Sequence, residues 1–155
     1  MKITVQNRQR HRQPNRRKLA ALLRFFLRRP MRRSDHGPWN HVTVVLTDDC
    51  QIAPLNRKFF GRDGATDVIS FTLPPIPGSG HASDGEIYLN VQRACWEGAR
   101  RKGPAAELAL YLAHGCDHLA GADDRSKREQ RAMRRRELRW LEQARRLSLL
   151  KGLLQ

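Results

Sequence analysis

Apolar residues recur along this chain in two rhythms, and the switches between them predict where strands and helices lie. Lys2-Ile-Thr-Val5 alternates and is β-branched, which predicts a short strand. Leu19, Leu22, Leu23, Phe26 and Leu27 return at helical spacing. They predict a helix capped by Asn15 and running to about Arg29, ended by Pro30. His41 to Thr47 is the clearest strand, with Asp48-Asp49 as the turn after it. A short helix is predicted over Ile52 to Phe59, and Gly61 and Gly64 bracket a loop. Asp67 to Thr72 and Gly85 to Leu89 read as two further strands. Between them Pro74, Pro75, Pro77, Gly78 and Gly80 make a linker or mobile loop. Val91 to Lys102 is helical in pattern, with Ala94, Cys95, Gly98 and Ala99 on one side. Pro104 opens a helix to about His118, anchored by Leu108, Tyr111 and Leu112. A basic helix from about Arg125 to Leu150 closes the chain.

Strands and helices alternate first, and helices gather at the end. This order predicts an α/β (α+β) single domain over residues 1–155, a small mixed four-stranded sheet covered by about five helices. The loops at 61–66 and 74–83 are expected to wall a cleft beside the sheet.

Composition narrows the class. The chain has 155 residues, enough for one compact domain, and 39% are hydrophobic, adequate for one core. No stretch approaches the ~20 apolar residues of a membrane span, and Met1 to Gln13 lacks an apolar signal core. Cys50, Cys95 and Cys116 are odd in number and at no metal spacing. They are expected as free thiols in a reducing cytoplasm, with no membrane partner.

Charge changes the picture. Thirty Lys and Arg against fifteen acids leave a net charge of +15, which suggests a polyanionic partner. The excess gathers at the two ends. One cluster is Arg8, Arg10, Arg12, Arg16, Arg17 and Lys18. The other runs from Arg125 to Arg139 and includes Arg128 and Arg131, with no strongly apolar face beside it. Arginine dominates lysine, which suits bidentate contacts to phosphate.

The candidate chemistry lies in His114-Gly-Cys-Asp-His118-Leu-Ala-Gly121-Ala-Asp-Asp124. Residues four apart share a helix face, so both imidazoles can reach one ion. Gly121 lets the chain leave the helix through a conformation that side chains resist, and the turn can return Asp124 as a third ligand. Asp123 is the rival for that place. Three protein ligands leave a fourth position open, which distinguishes a catalytic zinc site from a closed structural one. The spacing resembles the metzincin pattern His-Glu-x-x-His-x-x-Gly-x-x-His. Gly115 stands where the peptidase general base would be, which argues against a peptidase. Cys116 lies between the histidines but faces away from them.

Three stretches together resemble the YbeY endoribonuclease family. His114-Gly-x-x-His118-Leu-x-Gly121-x-Asp-Asp124 is similar to its metal signature, His-Gly-x-x-His-Leu-x-Gly-Tyr-Asp-His. Leu55-Asn56-x-x-Phe59, then Asp63-x-x-Thr66-Asp67-Val68-Ile69-Ser70-Phe71, resembles its second signature. Gly85-Glu86-Ile87 resembles its Gly-Asp-Ile strand. The resemblance implies a cytoplasmic metalloenzyme that cuts single-stranded RNA. It further implies rRNA processing, notably 16S rRNA 3′-end maturation, and ribosome quality control, with the small ribosomal subunit as partner. It implies one Zn2+, or another divalent ion, on His114, His118 and Asp124, with aspartate standing where the family has a third histidine. Phe60 stands where the family has an arginine, and Arg57 or Arg62 is expected to reach the same space toward RNA.

The expected reaction is metal-assisted phosphodiester cleavage, with a water pKa lowered toward ~7. Glu86 and Asp67 are weak candidates for a protein base. Arg128 and Arg131 are expected to add backbone affinity without sequence choice. Phe59, Phe60 and Trp96 are expected in the core rather than as stacking platforms. The rival reading is a non-catalytic or weakly active ribosome- or rRNA-binding protein with a structural metal site.

Overall fold

The computed structural model describes residues 1–29, 38–73, 75, 77–78 and 82–155. The elements are β1 (Lys2–Asn7), α1 (Arg16–Leu27), β2 (Trp39–Thr47), α2 (Asp49–Phe60), β3 (Val68–Leu73), β4 (Ser83–Asn90), α3 (Val91–Gly98), α4 (Pro104–Leu119) and α5 (Lys127–Arg146). The expected mixed four-stranded sheet and five helices are present, with strand order β1-β2-β4-β3. β1 and β4 flank β2 in parallel, and β3 runs antiparallel to β4 at the edge. One row across the sheet reads Val5, Val44, Ile87, Ser70. Pro30 and half of the predicted 74–83 loop lie outside the described residues.

The core is where the helical stripes meet the β-branched strands. Leu19, Leu22, Leu23 and Phe26 of α1 are fully buried, as the spacing predicts. They join Val42, Val44, Leu46, Ile87 and Leu89 of the sheet. α4 runs through this core and buries Leu108, Ala109, Leu112, Ala113 and Cys116 completely. Such burial on nearly every side is unusual for a helix that also carries two histidines. It makes α4 a rigid base for them.

Gly115 explains how α4 lies so close to the sheet. A Cβ there would sit 2.9 Å from Ile87 Cγ2 and 3.2 Å from Val68 Cγ2. The position where a metzincin holds its glutamate therefore presses on strands. Gly98 is tighter still, with its would-be Cβ 2.6 Å from the Gly103 carbonyl carbon. This close crossing stops α3 at Gly98, four residues before the predicted Lys102, and turns the chain through Gly103 (φ 97°) into α4.

Two other boundaries differ from the sequence expectation for identifiable reasons. Asp48-Asp49 is the start of α2 rather than a free turn. The Asp48 carboxylate accepts a hydrogen bond from the Gln51 N–H at 3.0 Å and caps the helix. α5 begins after Ser126, which forms a reciprocal capping box with Glu129. The arginine-rich helix also carries an apolar stripe: Met133, Trp140 and Ala144 are buried together with Glu137. That stripe docks α5 against α4 and leaves the arginines of α5 outward except Arg136. No helix among the described residues is long and apolar enough to cross a membrane.

Candidate metal centre

His114 and His118 project from one face of α4, one turn apart, as their spacing requires. Their Nε2 atoms are 3.0 Å apart. Each ring is oriented through its other nitrogen. His114 Nδ1 lies 2.6 Å from Oε1 of Glu137, a carboxylate that α5 buries to 2% exposure. His118 Nδ1 lies 3.1 Å from the carbonyl oxygen of Ala122. Both partners are pure acceptors, so each Nδ1 carries the hydrogen and donates. In neutral rings the two Nε2 lone pairs then face one another. That arrangement requires a cation between them or a proton on one ring. It is the ring orientation that metal-binding histidines adopt when an outer partner fixes the tautomer.

The third group arrives by the turn after α4. Gly121 has φ 82°, the left-handed conformation expected of it. Asp124 Oδ2 then lies 3.7 Å from His118 Nε2. One ligand atom from each of His114, His118 and Asp124 falls within 4.8 Å of the others, so the three could hold one metal ion. The neighbouring Asp123 is engaged elsewhere. Its Oδ1 accepts from the Asp124 and Arg125 backbone N–H groups, and its Oδ2 pairs with the Arg125 side chain at 3.0 Å.

Electrostatics around the pair are set by buried acids. Burial pushes the His114 pKa down, but the hydrogen bond and charge of Glu137, helped by Asp67 and Asp124, carry it above the ordinary imidazole value. Behind the histidines, Asp117 is 3% exposed and is gripped by Arg136 of α5 through contacts of 2.7 to 3.0 Å. Burial still holds its carboxyl above the ordinary range, against the pull of that arginine. Two ties, Glu137 to His114 and Arg136 to Asp117, thus bind α5 to the metal helix.

A cleft of about 390 Å³ opens beside His114 and Asp124, bounded by α3, α4, α5 and Asp67. Arg93, Arg101 and Arg134 line it. Arg101 is neutralised by Glu107 at 2.8 Å and Glu97 at 3.3 Å. Tyr111 also faces it, its phenol pKa pushed well up by burial and then by Glu107 and Asp67.

Residues 4–145 match the family described as Endoribonuclease YbeY. The chain belongs to the YbeY family. An Endoribonuclease YbeY from Anaeromyxobacter sp. (strain Fw109-5) is 39% identical over 97 residues, which cover 62% of this chain and 50% of that protein. One from Salinibacter ruber is 30% identical over 141 residues, covering 84% of this chain and 87% of that one. The match spans about half the length of the first curated relatives. A solution structure from Thermotoga maritima superposes with a TM-score of 0.54 at 25% identity, covering 90% of this chain and 87% of that one.

The fold also places the other residues named from the sequence, and it corrects the expectation for three aromatics. Arg57 and Arg62 do not line the metal cleft; Arg57 is exposed and lies 3.7 Å from Asp63. Arg128 and Arg131 are exposed on α5; Arg134 of the same helix does line the cleft, and Arg128 lines a separate hollow with Asp123 and Arg136. Phe59, Phe60 and Trp96 are not core: they are 52%, 51% and 55% exposed. Phe59 and Phe60 instead pack on Phe71 of β3, with centroids 4.8 and 6.3 Å away. Glu86 alternates with Ile87, which meets Gly115, so it lies on the sheet face away from α4 and bonds to Tyr88. Glu137 and Arg93 were not singled out by sequence, and Arg134 was named only as part of the basic cluster from Arg125 to Arg139. Only Glu137 carried a possible signal, an acid at the apolar spacing of a helix.

Proposed function

We propose that this chain is a single-strand-specific metallo-endoribonuclease, with His114, His118 and Asp124 as the ligands of one zinc ion and as its catalytic centre. The observation that carries this reading is the pair of Nε2 atoms facing each other at 3.0 Å with both Nδ1 groups already committed. Tetrahedral ligands at about 2.0–2.1 Å from zinc lie roughly 3.3 Å apart, close to the spacings here. The donor set of two imidazoles and a carboxylate also suits zinc, and a more oxygen-loving divalent ion is the alternative. The site opens on a cleft, which favours a working centre over a closed structural one.

A divalent ion held there supplies Lewis acidity, acidifying water and polarising a phosphate oxygen. The chain's own residues do the rest. Glu137 and the Ala122 carbonyl hold the imidazoles in one tautomer. Arg134 and Arg93 place positive charge where a phosphodiester would enter. Asp67 faces the cleft from the loop before β3, its Oδ1 held by the Thr66 hydroxyl and the Val68 N–H, and is a carboxylate that a proton in transit could use. YbeY-family membership supports an RNA substrate, and we extend the reading to rRNA processing, with 16S rRNA 3′-end maturation, ribosome quality control, the small ribosomal subunit as partner and a cytoplasmic setting.

The test is a purified, metal-defined sample and an unstructured oligoribonucleotide. Cutting should require the ion and disappear in His114→Ala, with bound metal lost in His114→Ala, His118→Ala and Asp124→Ala but kept in Asp123→Ala. Tight RNA binding with no metal-dependent cutting would instead establish the binding-protein reading.

A further inference from the structure

Two hollows meet at Arg93. One is the metal cleft; the other, about 490 Å³, is lined by Asp49, Ala65, Gln92, Arg93 and Trp96. Arg93 and Trp96 are three residues apart on α3 and therefore share a face. Trp96 is 55% exposed, whereas Trp140 is 7% exposed. The Arg100 guanidinium stacks over one face of the Trp96 ring, 3.9 Å from its centroid, and adds positive charge beside the indole.

The charge at the junction is available. Arg93 donates from Nη1 to the Ala65 carbonyl at 3.1 Å, which fixes the guanidinium, and it has no carboxylate partner among the described residues. Arg101, further along the cleft, is held by two acids. The one acid in the second hollow, Asp49, accepts a 2.6 Å hydrogen bond from the Asn90 side chain.

We propose that this second hollow is a nucleotide subsite: single-stranded RNA leaving the metal cleft passes a backbone phosphate to Arg93 and stacks its next base against Trp96. The inference rests on the endoribonuclease reading and adds to it a fixed path for the strand. A planar guanidinium suits a phosphate through paired hydrogen bonds. An exposed indole accepts any base, since every base has a π-face, so the subsite carries affinity without sequence choice.

The experiment is fluorescence titration of the metal-free full chain with a short oligouridylate. Stacking should quench tryptophan emission. Trp96→Phe should abolish most of that quenching while keeping affinity within about twofold, because a ring remains. Trp96→Ala should weaken binding about tenfold. Arg93→Ala should weaken it too and make the slope of log K against log salt about 0.7 shallower, one phosphate contact's worth on a single strand. Wild-type affinity in both alanine variants, or quenching that persists in Trp96→Phe, overturns the subsite. Metal-dependent cutting that is lost in His114→Ala but unchanged in both α3 variants removes the subsite and leaves the nuclease standing. No cutting by the wild-type chain, with binding still lost in Trp96→Ala, removes the nuclease and leaves an RNA-binding surface.

Discussion

At the scale of single residues, the candidate centre depends on a carboxylate outside its three candidate ligands. Glu137 fixes the His114 tautomer from 2.6 Å away and is itself buried. Glu137→Gln should lower affinity for a divalent metal about 10–100-fold, the usual cost of losing such an outer partner, as read by competition with a chromophoric chelator. Asp123→Ala should leave that affinity unchanged, because its carboxylate serves the turn. The grouping of His114, His118 and Asp124 was legible in the sequence because it is local: a helical period, one glycine, one acid. Glu137 was not, because it lies 23 residues from His114 and meets it only through the docking of α5. Phe59, Phe60 and Trp96 misled for the opposite reason. Aromatic residues at helical spacing usually point inward, and nothing in a lone sequence marks the face that stays open. The thiols offer a further residue-scale check. Burial pushes the Cys116 pKa far up, so it stays protonated and unreactive at neutral pH, while Cys50 is exposed. A thiol-disulfide reagent should therefore modify Cys50 in the native protein and reach Cys116 only on unfolding.

At the scale of elements, function rests on how closely α4 approaches the sheet. Gly115→Ala would place a methyl group 2.9 Å from Ile87 Cγ2 and 3.2 Å from Val68 Cγ2. Those side chains can give only slightly within a packed core, so the change should cost about 1–3 kcal/mol in chemical denaturation. It should also shift both histidines outward, lowering metal affinity along with stability. The stop signals of helices were the least legible feature. α3 ends early because its last glycine meets the backbone of the next turn, a tertiary constraint with no local mark. α5, by contrast, starts at a Ser126–Glu129 box that any sequence displays. Ser126→Ala should cost about 1 kcal/mol, measurable as a lower denaturation midpoint with an unchanged denaturant slope. Because α5 carries Glu137 and Arg136, that loss should appear first as easier local opening around His114 and Asp117 in hydrogen exchange.

At the scale of the whole molecule, the charge and the metal centre are separate devices. The net charge of +15 was plain from composition, yet composition did not show where the arginines point. The fold answers this. α5 buries Met133, Trp140 and Ala144 and turns Arg128, Arg131, Arg134 and Arg135 to solvent, Arg134 on the lining of the metal cleft, none of the four in an ion pair among the described residues. Five acids and three arginines line the cleft, and the other exposed arginines of α5 lie outside it. A polyanion is thus drawn to those arginines, and the inner acids are left to orient the histidines and any ion between them. This division predicts two independent salt responses. Five phosphate contacts on a single strand would give a slope of about −3.5 in log K against log salt, or roughly a hundredfold loss of RNA affinity from 50 to 200 mM. Arg128→Ala with Arg131→Ala should make that slope about 1.4 shallower. His114→Ala should bind RNA with the wild-type slope while losing the metal, because attraction to the arginines does not pass through the centre. A slope that collapsed in His114→Ala would mean that the ion, rather than the arginines, holds the strand.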